Sequence, residues 1–188
     1  MASDFVCFAN PDLYTTLYNL KNFGIRSEEV VAEVGANAKM NEFAAAMGLC
    51  NLRHIEEEIA KRKRVVERYN ELLGQMEGIR ILSVQEDVES NYAYYPILID
   101  ETVFGKTRDE IYLELREHDI YSRKYFYPLT SDQACFRNRY RNVSLQCARH
   151  ISSHILTLPL YADLSLESVE RIVDIICMGI GKPSGGIG

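Results

Sequence analysis

Gly35-Ala36-Asn37-Ala38-Lys39-Met40-Asn41-Glu42-Phe43-Ala44-Ala45-Ala46-Met47-Gly48-Leu49 is the stretch on which the reading of this chain turns. A helix is predicted through Met40, Phe43, Ala44, Met47 and Leu49, and Asn37 stands where a short polar side chain can cap a first turn. Working upstream, Phe5-Val6-Cys7-Phe8 predicts a short strand. Asn10 followed by Pro11 predicts a cap and a first helical residue. A helix through Leu13, Leu17 and Leu20 then stops near Gly24. A strand so early reads as one member of a sheet whose other strands lie elsewhere. Working downstream, a longer amphipathic helix runs from about His54 to Met76, with Ile55, Ile59, Val66, Tyr69 and Leu73 on its apolar side.

Beyond Gly78 the pattern alternates faster. Ile79 to Leu82, Ala93 to Ile99 and Ile120 to Phe126 predict strands; Thr107 to His118 and Leu145 to Ser153 predict helices. Ile155 to Leu160 is a further apolar run, and Ser165 caps a last helix through Val169, Ile172, Val173 and Ile176. Helices mixed with short strands predict a small sheet covered by helices, an α+β layer. The break between the two styles falls near residue 75.

The 188 residues, 47% hydrophobic and 26% charged, have a globular balance. A net charge of −6 argues against nucleic-acid or membrane-surface partners, which favour a basic face. The run Lys61-Arg62-Lys63-Arg64 sits among Glu56, Glu57, Glu58 and Glu67 and reads as a solvated helix side. A second basic run spans Arg137 to Arg141. The five cysteines, at 7, 50, 135, 147 and 177, include no Cys-x-x-Cys pair, so neither a disulfide framework nor structural zinc is expected and a reducing cytoplasm is the simplest home. Met1-Ala2-Ser3-Asp4 has no signal-peptide character, and no stretch approaches the ~18 apolar residues of a spanning helix. The tail 181–188 has no apolar period and is expected to be flexible.

The opening stretch resembles the Gly-x-Asn-x-Arg-Met-x-Glu-x-Gln-Ala-Ala-x-Gly-Leu motif of the DegT/StrS-type sugar aminotransferases. Lys21-Asn22-Phe23-Gly24-Ile25 is similar to that family's Arg-Asn-His-Gly-Ile. Leu52 and the helix with Arg62 and Tyr69 resemble its linker helix. Arg123-Lys124-Tyr125-Phe126-Tyr127-Pro128-Leu129 and Leu156-Thr157-Leu158-Pro159-Leu160 resemble its C-terminal domain. The likeness covers nearly the whole chain in order. Lys39 stands where arginine is usual, Ala44 replaces glutamine, and Tyr125 and Thr130 stand where many members carry histidine.

The resemblance implies an α/β chain: the C-terminal part of a fold-type-I aminotransferase that uses pyridoxal phosphate (PLP). Residues 1–35 would be a remnant of the large cofactor domain, 36–76 linker helices, 77–180 the small α+β domain and 181–188 a tail. The parent would form a homodimer and aminate a keto-sugar nucleotide, such as a deoxythymidine-diphosphate-linked 6-deoxy sugar for polysaccharide biosynthesis, from a donor such as glutamate. Asn37 resembles the asparagine that reaches a partner subunit's cofactor phosphate, and Lys39 would add positive charge there; their plainer readings are a helix cap and an exposed lysine. Arg123, Tyr125 and Tyr127 alternate and would share one strand face, suited to a sugar diphosphate and its hydroxyls, or simply a packed sheet surface. None of the lysines at 21, 39, 61, 63, 106, 124 and 182 stands in the family's Schiff-base context. The resemblance therefore places that lysine upstream of residue 1, with no catalytic residue in this chain and no PLP held by it alone. The other possibility is a non-catalytic module that dimerises and binds sugar nucleotide. His150 and His154, four apart, lack a third ligand and a zincin glutamate, so no metal is expected.

Overall fold

The computed structural model describes residues 6–136 and 143–179. Phe5, the basic run 137–141, Lys182 and the tail 181–188 lie outside the described residues. The chain forms two compact units, residues 1–55 and 56–188.

In the first unit, Asn10 Oδ1 accepts from the Asp12 amide at 3.0 Å and leads into α1 (Leu13–Leu20). The chain then turns through Gly24, whose φ of 76° suits glycine. A two-strand ribbon follows, β1 (Ile25–Ser27) antiparallel to β2 (Val30–Val31). Residues 36–38 run back beside the end of α1: Ala36 N–H donates to Leu20 O at 2.9 Å and Ala38 N–H to Lys21 O at 2.9 Å. Two glycines permit this approach. A Cβ on Gly24 would lie 1.7 Å from Glu33 O, and one on Gly35 2.4 Å from both Leu20 O and Gly24 N.

That pairing moves the expected cap. Asn37 is held extended in a bridge with Asn22, so the helix starts later, as α2 (Glu42–Leu52). Its N-cap is Asn41, whose Oδ1 accepts from Ala44 N at 2.8 Å. The strand expected at Phe5 to Phe8 is also corrected. Val6, Cys7 and Phe8 have no strand pairing, because an apolar run becomes a strand only when a neighbour completes its ladder.

The second unit opens with α3 (Ile55–Leu73) and continues β3 (Ile79–Ile81), β4 (Tyr95–Ile99), α4 (Glu101–Phe104), α5 (Arg108–Glu117), α6 (Gln146–His154), β5 (Ile155–Leu158) and α7 (Leu166–Ile176). The strands form one antiparallel sheet in the order β3-β4-β5, with Ile97 opposite both Ile81 and Leu156. Thr107 and Glu110 form a reciprocal capping box at α5, and Ser165 caps α7 through Ser168 N. The long helix, grouped in the sequence reading with segment 36–76, packs here because Val65, Tyr69 and Leu73 belong to this core.

The core gathers those residues with Tyr95, Ile97 and Ile99 of β4, Ile111 and Leu115 of α5, Leu156 and Leu158 of β5, and the apolar face of α7. Each fully buried Leu or Ile contributes about 1.5–3 kcal/mol. At its centre Tyr69 and Tyr95 stack with centroids 4.6 Å apart. The Tyr69 hydroxyl donates to Pro159 O at 3.1 Å and that of Tyr95 to Asn70 Oδ1 at 2.8 Å. Burial pushes both phenols well above their ordinary pKa.

The strand expected over 120–126 is not formed. Only Arg123 pairs, exchanging both backbone hydrogen bonds with Thr157 (Arg123 N–H to Thr157 O at 2.9 Å, and the reverse at 2.8 Å). The next residues curl into a turn in which Tyr127 N–H donates to Lys124 O at 2.8 Å, and Pro128 has no N–H to offer a ladder.

Candidate functional site

The residues singled out from the sequence fall in the two units separately. In the first unit Lys39 Nζ donates to Asn22 Oδ1 at 3.0 Å and lies 5.4 Å from the Phe23 ring centroid. Lys39, Asn22 and Lys21 line an open hollow of about 970 Å³ with Phe8, Tyr14 and Tyr18. Its described lining carries two ammonium groups, aromatic and apolar surface, and no carboxylate. Asn37 is exposed beside it but does not line it. The backbone bridge between Asn22 and Asn37 is what ties the segment before Gly24 to the Gly35 motif.

In the second unit Arg123 Nη1 donates to the Tyr125 hydroxyl at 2.9 Å, with the guanidinium 5.5 Å from that ring. Tyr94 meets Tyr125 edge-on, centroids 5.3 Å apart. These residues, with Tyr121 and Thr157, line a hollow of about 210 Å³ beside the end of β5. Arg123 and Tyr125 thus lie together, though not on a strand. Tyr127 does not join them: the turn after Lys124 carries its ring to the Arg108 guanidinium, 4.9 Å away. Tyr127, Arg123 and Tyr125 do share the wall of a neighbouring hollow of about 530 Å³.

Sequence reasoning missed Arg108. It is 4% exposed, at the first turn of α5. Its Nη1 donates to Ser152 O at 3.0 Å and Ile155 O at 3.4 Å, so it serves the last carbonyls of α6. Its Nε lies 2.7 Å from Asp109 Oδ1, which is also 2.5 Å from Lys124 Nζ. Burial raises the Asp109 pKa, but Lys124 and Arg108 outweigh it and hold the carboxyl below its ordinary range. The one available sequence signal was an arginine at a helix start, where the dipole disfavours a cation.

Other candidates resolve plainly. Lys61 pairs with Glu57 at 2.9 Å and Glu58 at 3.1 Å, as the solvated face of α3 predicts. Among the described residues no cluster of three His, Cys, Asp or Glu side chains could hold a metal. His150 and His154 lie ring against ring, 4.3 Å apart. No described helix is long and apolar enough to cross a membrane.

The DegT/DnrJ/EryC1/StrS aminotransferase family model matches residues 5–177. The chain is 42% identical over 171 residues to dTDP-4-amino-4,6-dideoxy-D-glucose transaminase of Escherichia coli, covering 89% of this chain and 46% of that protein. It is 36% identical over 157 residues to the Shigella dysenteriae protein of the same name, covering 84% of this chain and 42% of that one. The crystal structure of DesI in the presence of its TDP-sugar product superposes with a TM-score of 0.81 at 28% identity, covering 89% of this chain and 43% of that chain. The chain spans about half the length of the curated relatives it matches. Its mixed helix-and-sheet fold matches part of the α/β fold of the DesI structure, and the chain belongs to the DegT/DnrJ/EryC1/StrS aminotransferase family.

Proposed function

We propose that this chain is the C-terminal portion of a PLP-dependent aminotransferase that aminates a thymidine-diphosphate-linked 6-deoxy keto-sugar, with glutamate as donor, for polysaccharide biosynthesis. The observation that carries the reading is the convergence of Arg123, Tyr125 and Tyr94 beside β5. A guanidinium there can take a diphosphate through a forked hydrogen bond, and the neighbouring phenols can take sugar hydroxyls or stack on a base. The E. coli relative, named for a dTDP-sugar, agrees in chemistry.

The first unit fits the phosphate end of the cofactor. Lys39 and Lys21 supply positive charge with no opposing carboxylate in the hollow they line, and Asn37 has an amide free of any helix-cap duty. PLP, when bound, supplies the electron sink for amino transfer. This chain's residues would hold and orient its anionic group. In this reading the amine that binds PLP is supplied from outside the chain. The six described lysines support this, because Lys61, Lys63, Lys106 and Lys124 are ion-paired to Glu57, Glu67, Glu114 and Asp109, while Lys21 and Lys39 lie over aromatic rings. We further read the parent as a cytoplasmic homodimer.

Calorimetric titration of thymidine diphosphate into the chain tests the substrate side. Arg123→Ala should weaken binding about ten- to a hundredfold, the range for a charged hydrogen bond, and Tyr125→Phe by about two- to tenfold. Affinity unchanged by both substitutions would refute it.

A further inference from the structure

We infer that Arg108, with Asp109 and Ser152, is a positioning residue that sets the Arg123–Tyr127 turn. The inference rests on the reading of that turn as ligand-facing, and deepens it.

The turn is fastened at four points, three of them to residues outside the resemblance motifs. Tyr127 lies on the Arg108 guanidinium, 4.9 Å from it. Phe126 O accepts from the Ser152 hydroxyl at 2.9 Å. Lys124 Nζ meets Asp109 Oδ1 at 2.5 Å while lying 4.4 Å from the Tyr112 ring. Arg108 links all three. It binds the carbonyl of Ser152, contacts the carboxylate that holds Lys124, and carries the ring of Tyr127. The fourth tie is the two-way backbone pairing of Arg123 with Thr157.

The cost of this arrangement argues for a role beyond packing. A buried cation at the first turn of α5 opposes that helix's dipole and loses water. It is tolerated because α6 ends against it and offers carbonyls with partial negative charge, and because Asp109 adds a full one. An apolar residue could fill the volume without these requirements, but could not fix a phenol ring, a lysine and a helix end together. Local rules are commonly broken where a site must be held. The consequence is geometric: with Phe126 docked on Ser152 of α6 and Tyr127 on Arg108 of α5, Tyr125 stays beside Tyr94 and Arg123, and Tyr125 and Arg123 line both hollows.

The test uses the whole chain and two readouts. Amide exchange at Tyr127, which bonds within the turn, and at Arg123, which bonds to β5, reports the turn directly. Thymidine diphosphate affinity reports its use. Arg108→Lys keeps the charge and loses the fork; Ser152→Ala removes the tie to Phe126 O, Asp109→Asn removes the charge that Lys124 and Arg108 share, and both spare the fold if Arg108→Lys does not. Each should speed exchange at Tyr127 about two- to tenfold, the factor of one net hydrogen bond. Amides of β4 and α7 should keep their rates. Affinity should fall by a similar factor, and Asp109→Glu should recover both readouts. Unchanged exchange at Tyr127, or a rise spread evenly over β4 and α7, overturns the inference. Local acceleration in the variants, together with a wild-type chain that binds no thymidine diphosphate, supports the positioning role and refutes the substrate reading instead.

Discussion

Replacing Gly35 by alanine tests how the motif glycine builds the first unit. The new Cβ would meet Leu20 O and Gly24 N at 2.4 Å and Phe23 C at 2.8 Å. All three are backbone atoms, so no side chain can swing aside. The strain can be relieved only by parting segment 35–38 from the end of α1. That movement threatens three hydrogen bonds: Ala36 N–H to Leu20 O, Phe23 N–H to Ala36 O and Ala38 N–H to Lys21 O, of 2.9, 3.1 and 2.9 Å. Overpacking costs about 1–3 kcal/mol, and each weakened bond about 1 kcal/mol. Local opening should therefore become easier by roughly 3 kcal/mol or more, on the order of a hundredfold in exchange rate at fixed intrinsic chemistry. Amide exchange at Phe23, Ala36 and Ala38 reads this directly. Gly105→Ala is the control, because its Cβ would meet nothing within 4 Å and only its φ of 83° is strained. Equal protection in Gly35→Ala and wild type would refute the close-approach argument.

Two further outcomes follow from burial and exposure. The pKa values of Tyr69 and Tyr95 are raised in the fold, so their contribution is complete below the unfolded value of 10.0 and is lost as pH climbs from there toward the folded values; urea unfolding should show stability falling above about pH 10, and Tyr69→Phe, costing about 1 kcal/mol at neutral pH, should flatten that fall. In α2 no residue is buried and Phe43 is 91% exposed; Phe43→Glu with Met47→Glu should abolish self-association that light scattering detects in the wild type, whereas a wild-type monomer at high concentration would contradict the dimer reading.

Most of the second unit was legible because its periodicity is local. The stretch Thr107 to His118, and Ser165 before an apolar period, announce α5 and α7 without tertiary help. What failed depended on distant pairing. Asn37 and Asn41 are the same residue four apart, and only the bridge to Asn22 decides that the later one caps α2. Arg123, Tyr125 and Tyr127 alternate like a strand, yet a single partner residue, Thr157, is available, and the chain turns after it. Arg108 looked like any surface arginine, because its acceptors lie more than forty residues away on α6. Which residues line which hollow was not readable from residue types: Tyr127 is missing from the lining of the hollow of about 210 Å³, and Asn22 and Lys21 join Lys39 in the first unit.

In the function proposed above, this chain supplies binding groups while the reactive amine comes from a lysine outside it. Incubation with PLP, borohydride reduction and peptide mass spectrometry tests that most directly. A protonated surface lysine with a pKa near ~10.4 is a poor nucleophile at neutral pH, and Lys61 is held higher still by its hydrogen bond to Glu57, then by that to Glu58. Low labelling scattered over several lysines is expected, with no transfer from glutamate to a keto-sugar nucleotide. Stoichiometric labelling of one lysine, with glutamate-dependent turnover by the chain alone, would contradict it.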